Sequence, residues 1–207
     1  MTDLSSARLY LVSTARIAAG LLVDFVPQLA SAGVDLIQLR EKEMEAGDVI
    51  AAAVPIADAC RAAGVPFIVN DRADIAVAVG ADGVHVGQND LPVGAARSIV
   101  GDRIVGLSTH RPEEVDAATT SGADYFAVGP VYETPTKLGR PGVGLELIEH
   151  AASIGGTAPW FAIGGIDPGN LPDVVAAGAT RIVVVRAITE ASDPVAATAE
   201  LRRILDR

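Results

Sequence analysis

Two aspartates and two lysines are the residues of this chain best equipped to do chemistry. Asp71 lies in Asn70-Asp71-Arg72, and Asp90 closes His85-Val86-Gly87-Gln88-Asn89-Asp90, each just past a short apolar run. Such a pair can hold one hard divalent cation: magnesium commonly takes one or two carboxylates and completes its shell with water and phosphate oxygens. The plainer role for either aspartate is a helix N-cap, because a helical pattern follows both. Beside fourteen arginines the chain has only two lysines, Lys42 and Lys137. Lys42 ends Gln38-Leu39-Arg40-Glu41-Lys42, where a period of two puts Gln38, Arg40 and Lys42 on one face. An amide, a guanidinium and an ammonium turned inward would strand buried charge unless an anion bound there. The alternative is a solvated loop in which Glu41 and Glu43 pair with the cations.

Lys137 falls in the strongest local signal, Gly129-Pro130-Val131-Tyr132-Glu133-Thr134-Pro135-Thr136-Lys137, which opens a loop continuing through Gly142. A loop of this length in a compact domain is usually functional. Thr134, Thr136 and Lys137 make a phosphate grip that flanking glycines would allow to close over a ligand. His85 faces inward by alternation, as a site residue or as a satisfied core histidine. Ser108, in Leu107-Ser108-Thr109-His110, either donates to a phosphate or caps the helix starting near Pro112. No neighbouring spacing supports a hydrolase triad. Ile163-Gly164-Gly165-Ile166 and Val183-Val184-Val185-Arg186 end the last two apolar runs, where barrels often cradle a phosphate with backbone N–H groups and a helix N-terminus.

The elements that must position these residues repeat along the chain. Strands are expected at Arg8–Val12, Leu36–Arg40, Phe67–Asn70, Gly83–Val86, Ile104–Leu107, Tyr125–Val128, Trp160–Ile163 and Arg181–Val185. An Ala-rich amphipathic stretch follows each, so strands alternate with helices and the sheet should be parallel. Eight units in 207 residues predict a single (β/α)8 TIM barrel over residues 1–207, near the lower size limit; an open doubly wound sheet is the alternative. Pro27 and Pro55 fall inside helical patterns and predict helices that begin late, kink or break. The chain is 50% hydrophobic and 4% aromatic, which suits aliphatic strands buried on both faces. A net charge of −10 argues against a nucleic-acid partner, which would require a surplus of cations. Cys60, the single cysteine, excludes an internal disulfide and reads as a buried structural thiol. No run is long enough to cross a membrane and no signal-peptide core opens the chain, so a soluble cytoplasmic enzyme is expected.

Taken together, QLREK at 38–42, NDR at 70–72, HVGQND at 85–90, STH at 108–110, TPTK at 134–137 and IGGI at 163–166 resemble the thiamine-phosphate synthase family from Leu9 to about Ile188. The resemblance implies a (β/α)8 fold and a magnesium-dependent transferase. It would join 4-amino-2-methyl-5-pyrimidinylmethyl diphosphate to 4-methyl-5-(2-phosphoethyl)thiazole and release diphosphate. Carried over, Gln38, Arg40, Lys42, Asn70, Ser108 and Lys137 would contact the pyrimidine diphosphate, with Arg40, Lys42, Ser108 and Lys137 as catalytic candidates. Asp71 and Asp90 would bind Mg²⁺. Thr134, Thr136, Gly165, Val185 and Arg186 would hold the thiazole phosphate, and Glu41, His85 and Pro135, inside the same motifs, count among the substrate contacts. Family members often have Ser where this chain has Arg186, which either contacts the thiazole phosphate through its charge or turns outward. A thiazole tautomerase-like isomerase and a non-catalytic phosphate-binding barrel are the alternatives; a homodimer enters only by family analogy.

Overall fold

A computed structural model describes residues 4–134, 141–154 and 158–207. Among them, eight parallel strands close into a barrel: β1 (Leu9–Ser13), β4 (Leu36–Leu39), β5 (Phe67–Asn70), β6 (Gly83–Val86), β7 (Ile104–Thr109), β8 (Tyr125–Val128), β9 (Trp160–Ile163) and β10 (Ile182–Val184). Each pairs with the next in sequence, and β1 completes the ring against β10, with Leu9 opposite Ile182. Helices α1 (Leu22–Ser31), α2 (Ala46–Ala63), α3 (Ala73–Ala78), α4 (Val93–Val100), α5 (Pro112–Ala118), α6 (Glu146–Ser153), α7 (Leu171–Ala176) and α9 (Pro194–Leu205) form the outer layer.

The alternation read from sequence sorts the strand residues into two cores. Leu9, Leu11, Ile37, Leu39 and Val84 pack outward against the helices. Tyr10, Val12, Leu36, Ile68, Ile104, Tyr125, Phe161 and Val183 pack inward and fill the barrel. The rings of Tyr10, Tyr125 and Phe161 meet edge to face at centroid distances of 5.6–5.7 Å, an arrangement aromatic quadrupoles favour. A Cβ at Gly106 would collide with the Tyr125 ring, so the glycine makes room for it.

The N-terminal ends of the strands carry a repeated staple. Asp35, just before β4, accepts the backbone N–H groups of Arg8 and Leu9. Asp82, before β6, accepts Phe67 N–H, and Asp124, before β8, accepts Val105 N–H. Asp35 is also paired with Arg202 at 2.9 Å and Asp124 with Arg97 at 2.5 Å.

Local details go beyond the pattern read from the sequence. Helices α1 and α2 each run through their proline without a break. One lost backbone bond is outweighed by the buried face: Val49, Ala53, Ile56, Ala57 and Cys60 line α2 on both sides of Pro55. Strand β7 continues through Ser108 and Thr109, whose Oγ1 donates to Ala127 O at 3.0 Å. An antiparallel hairpin of β2 (Arg16–Ile17) and β3 (Gly20–Leu21) precedes α1. A short helix α8 (Arg186–Thr189) follows β10 at once.

Candidate active site

The C-terminal strand ends surround a cavity that gathers residues from every quarter of the barrel. Gln38 and Arg40 come from the end of β4, Asn70 from β5, His85 from β6, Ser108 from β7, Thr134 from the loop after β8, Gly165 from the turn after β9, and Val185 and Arg186 from the junction of β10 and α8. All nine were singled out in the sequence. Pro135, Thr136 and Lys137 lie outside the described residues.

Beside the cavity, at the same barrel end, stand Lys42, Asp71 and Asp90. Lys42 Nζ reaches Asp71 Oδ2 at 2.5 Å. The Asp71 carboxyl is pushed above its usual range, first by burial and then by the facing Asp90 carboxylate, while Lys42 pulls it down. Neither aspartate caps a helix: Arg72 and Pro92 occupy the N-cap positions of α3 and α4 without side-chain cap bonds. Asp71 is also the one described non-glycine residue with positive φ, at 60°. Asp tolerates this left-handed region better than most residues, at a cost on the order of 1 kcal/mol. Asp90 Oδ2 accepts Gly87 N–H at 2.8 Å, and a Cβ at Gly87 would sit 2.8 Å from that same oxygen. Glycine is what lets the carboxylate settle there. Glu41, expected near substrate, instead accepts the Ala15 N–H at 2.7 Å and does not line the cavity.

The cavity floor is a connected polar network. Gln38 Nε2 donates to the Tyr10 hydroxyl. Tyr10 and Tyr125 hydroxyls lie 2.8 Å apart, the Tyr125 hydroxyl is 3.0 Å from His85 Nδ1, and His85 Nε2 is 2.9 Å from Ser108 Oγ. Burial pushes both phenols up, so they stay protonated across the working pH range. His85 is thus both readings at once, a satisfied core histidine and a residue on the cavity wall. Sequence reasoning missed Tyr10 and Tyr125. The available signal was that two of only three tyrosines fall within otherwise apolar strand runs. Asn70 Nδ2 is buried and has no hydrogen-bond partner among the described residues. Leaving such a donor unmet costs about 1–3 kcal/mol, which an acceptor on a bound molecule would recover.

On the opposite wall, Gly164 and Gly165 have φ of 108° and 65°, and a Cβ on Gly165 would lie 2.8 Å from Tyr132 Cβ. This turn and the start of α8 bring backbone to the cavity edge. Arg186 lines the cavity, and its guanidinium, on a side chain 42% exposed, lies 3.9 Å from Glu190 as a loose partner. Among the described residues no cluster of three or more His, Cys, Asp or Glu could hold a metal ion; the facing aspartates are a two-carboxylate donor set.

Residues 9–188 match the sequence family described as thiamine monophosphate synthase. The chain belongs to that family. Relatives named thiamine-phosphate synthase include the Streptomyces avermitilis protein, 52% identical over 204 residues, covering 98% of this chain and 95% of the relative. The Acidothermus cellulolyticus protein is 54% identical over 200 residues, covering 96% and 94%. Among solved structures, a thiamine phosphate pyrophosphorylase from Pyrococcus furiosus matches with TM-score 0.85 at 32% identity, over 96% of this chain and 95% of that one. A 3-hexulose-6-phosphate synthase at 22% identity and TM-score 0.66, over 95% of this chain and 99% of that one, shares the fold alone. The family match spans nearly all of the barrel, including every strand end that supplies the cavity.

Proposed function

We propose that this chain is a magnesium-dependent thiamine-phosphate synthase of the cytoplasm. It transfers the 4-amino-2-methyl-5-pyrimidinylmethyl group from its diphosphate to 4-methyl-5-(2-phosphoethyl)thiazole. The observation that carries the reading is the facing pair Asp71 and Asp90, with Lys42 on Asp71, beside a cavity lined by Arg40. A carboxylate whose proton affinity is raised by burial, and further by a neighbouring carboxylate, will also favour a hard cation, and two oxygen donors suit magnesium. Asp71 and Asp90 would hold the ion, which when bound supplies positive charge to the departing diphosphate.

The remaining work belongs to the chain's own groups. The breaking bond joins the pyrimidinylmethyl carbon to a diphosphate oxygen; its electrons leave with diphosphate, and the thiazole nitrogen supplies the pair for the new C–N bond. No side-chain base or nucleophile is needed. Arg40, Lys42 and Lys137 bind the leaving group and stabilise its growing charge where it develops. Gln38, Asn70, His85 and Ser108 orient the pyrimidine on the cavity floor. Thr134, Pro135, Thr136, Gly165, Val185 and Arg186 seat the thiazole phosphate, so that the nitrogen meets the carbon in line.

The test is to mix both phosphorylated substrates with the protein, with and without Mg²⁺, and to look for thiamine phosphate. Product only with the metal supports the reading. Product formed equally well after chelation removes the metal role, and no product under either condition overturns the activity.

A further inference from the structure

The chain of hydrogen bonds under the cavity has a direction, and hydrogen counting fixes it. Gln38 Nε2 donates to Tyr10. The Tyr10 hydroxyl hydrogen must then go to an acceptor, and among the described residues its one other partner is the Tyr125 oxygen at 2.8 Å. Tyr125 in turn donates to His85 Nδ1 at 3.0 Å. The ring nitrogen left with the proton is Nε2, which donates to Ser108 Oγ at 2.9 Å. The Ser108 hydroxyl hydrogen is then released toward the cavity that Ser108 lines. Run the other way, the chain would leave the wholly buried Tyr10 hydroxyl with a hydrogen and nowhere to place it, at a cost of about 1–3 kcal/mol. Reversal therefore requires turning the Gln38 amide as well as both tyrosine hydroxyls. The two ends of the floor cannot change character independently.

We propose that Tyr125 and His85 are positioning residues that carry the hydrogen-bond direction set at Gln38 across the barrel to Ser108. The floor consequently presents an acceptor, the Gln38 carbonyl, at one end and a donor, the Ser108 hydroxyl, at the other. An aminopyrimidine matches this pattern, because its exocyclic amine donates and its ring nitrogens accept. A 4-oxopyrimidine, with a carbonyl and a ring N–H, presents the opposite pattern and meets a floor that can reverse only as a unit. Sites built to hydrogen-bond one pattern reject the other strongly, since a mismatch leaves buried polar groups unpaired. The proposal deepens the transferase reading and rests on it for the identity of the ligand.

The first measurement needs no ligand. The chain has three histidines, so ¹⁵N NMR of the histidine-labelled full-length protein can resolve the His85 ring. We expect the Nε2–H tautomer with Nδ1 as a bare acceptor; an Nδ1–H tautomer overturns the directed chain whether or not the protein makes thiamine phosphate. The second measurement is kinetic. Tyr125→Phe removes the hydroxyl and keeps the ring that packs on Tyr10 and Phe161. Its expected signature is a rise of about tenfold in KM for the pyrimidine diphosphate, an unchanged KM for the thiazole phosphate, and weaker discrimination against a 4-oxo pyrimidine analogue as competitive inhibitor. Wild-type behaviour, or equal losses for both substrates, overturns the proposal. Should Tyr125→Phe fail to fold, Tyr10→Phe cuts the same chain one link earlier and must show the same split. A wild-type protein that forms no thiamine phosphate would instead remove the transferase reading, leaving the His85 tautomer to judge the chain by itself.

Discussion

The two ends of this barrel use the same residue type for opposite purposes. At the N-terminal end Asp35, Asp82 and Asp124 each accept a backbone N–H of the neighbouring strand, and two of them are also paired with arginines. Every one of these charges is matched by donors that belong to the fold. At the C-terminal end Asp71 and Asp90 interact with each other, Lys42 pairs with Asp71 alone, and Asp71 takes a left-handed backbone conformation. The first arrangement lowers the energy of the folded chain. The second leaves the Asp71 carboxyl raised by burial and by Asp90, offset in part by Lys42, and it is the place proposed above to take a cation. Stability and reactivity are separated along the barrel axis, as expected where loops at one end carry chemistry and the other end holds the strands together.

That contrast can be attacked directly. The largest effect is expected for Asp71→Asn, which keeps a side chain tolerant of the left-handed region but removes the charge. Turnover should fall by about two to three orders of magnitude, while the thermal midpoint holds or rises because a like-charge contact is gone. A loss of stability matching the loss of rate would mean the pair is structural. The mirror experiment is Asp124→Ala, which strands the Val105 N–H inside the barrel wall and leaves Arg97 unmatched. Denaturant unfolding should show a loss of about 1–3 kcal/mol with kcat unchanged at a temperature where the variant is folded. Gly87→Ala is gentler: its Cβ must displace Asp90 Oδ2 by a few tenths of an ångström. About a tenfold rate loss is expected, with the Mg²⁺ concentration needed for half-maximal rate raised; an unchanged metal requirement would separate Asp90 from the metal role. The smallest effect concerns Cys60, fully buried on α2, whose thiol is pushed up to about 12 by burial and by Asp82. At pH 8 it should resist a thiol reagent until the chain unfolds, and fast labelling of native protein would show the helical layer to be open.

Most of this architecture could be read from the sequence, because the alternation that sends Gln38 and Arg40 inward and Ile37 and Leu39 outward is the pattern of a strand buried on both faces. Those same inward positions supply much of the cavity wall. What could not be read were features decided by tertiary contact. Helix propensity penalises Pro55 but does not register the apolar stripe that holds α2 together around it. Asp before a helical pattern favours a cap, and only the positive φ at Asp71 shows that the carboxylate is used elsewhere. The polar character of Ser108 and Thr109 hid the continuation of β7, and nothing in the apolar runs around Tyr10 and Tyr125 shows that their hydroxyls meet. The Gly-x-Asp spacing at 33–35, 80–82 and 122–124 was visible all along, but it acquires meaning only when each aspartate is seen to grip the strand before it.

The staples at Asp35, Asp82 and Asp124 tie strands that are adjacent in sequence, so each can form within a short stretch of chain. The seam between β1 and β10 has no such advantage, since Leu9 must find Ile182 across nearly the whole polypeptide. There Arg8 does the fastening, donating to Thr180 O, Leu205 O and Asp206. Closing so long a loop is entropically the dearest contact in the ring. The β1–β10 seam is therefore expected to close late and open early, and hydrogen exchange should find the β1 amides released ahead of those in β5 to β8.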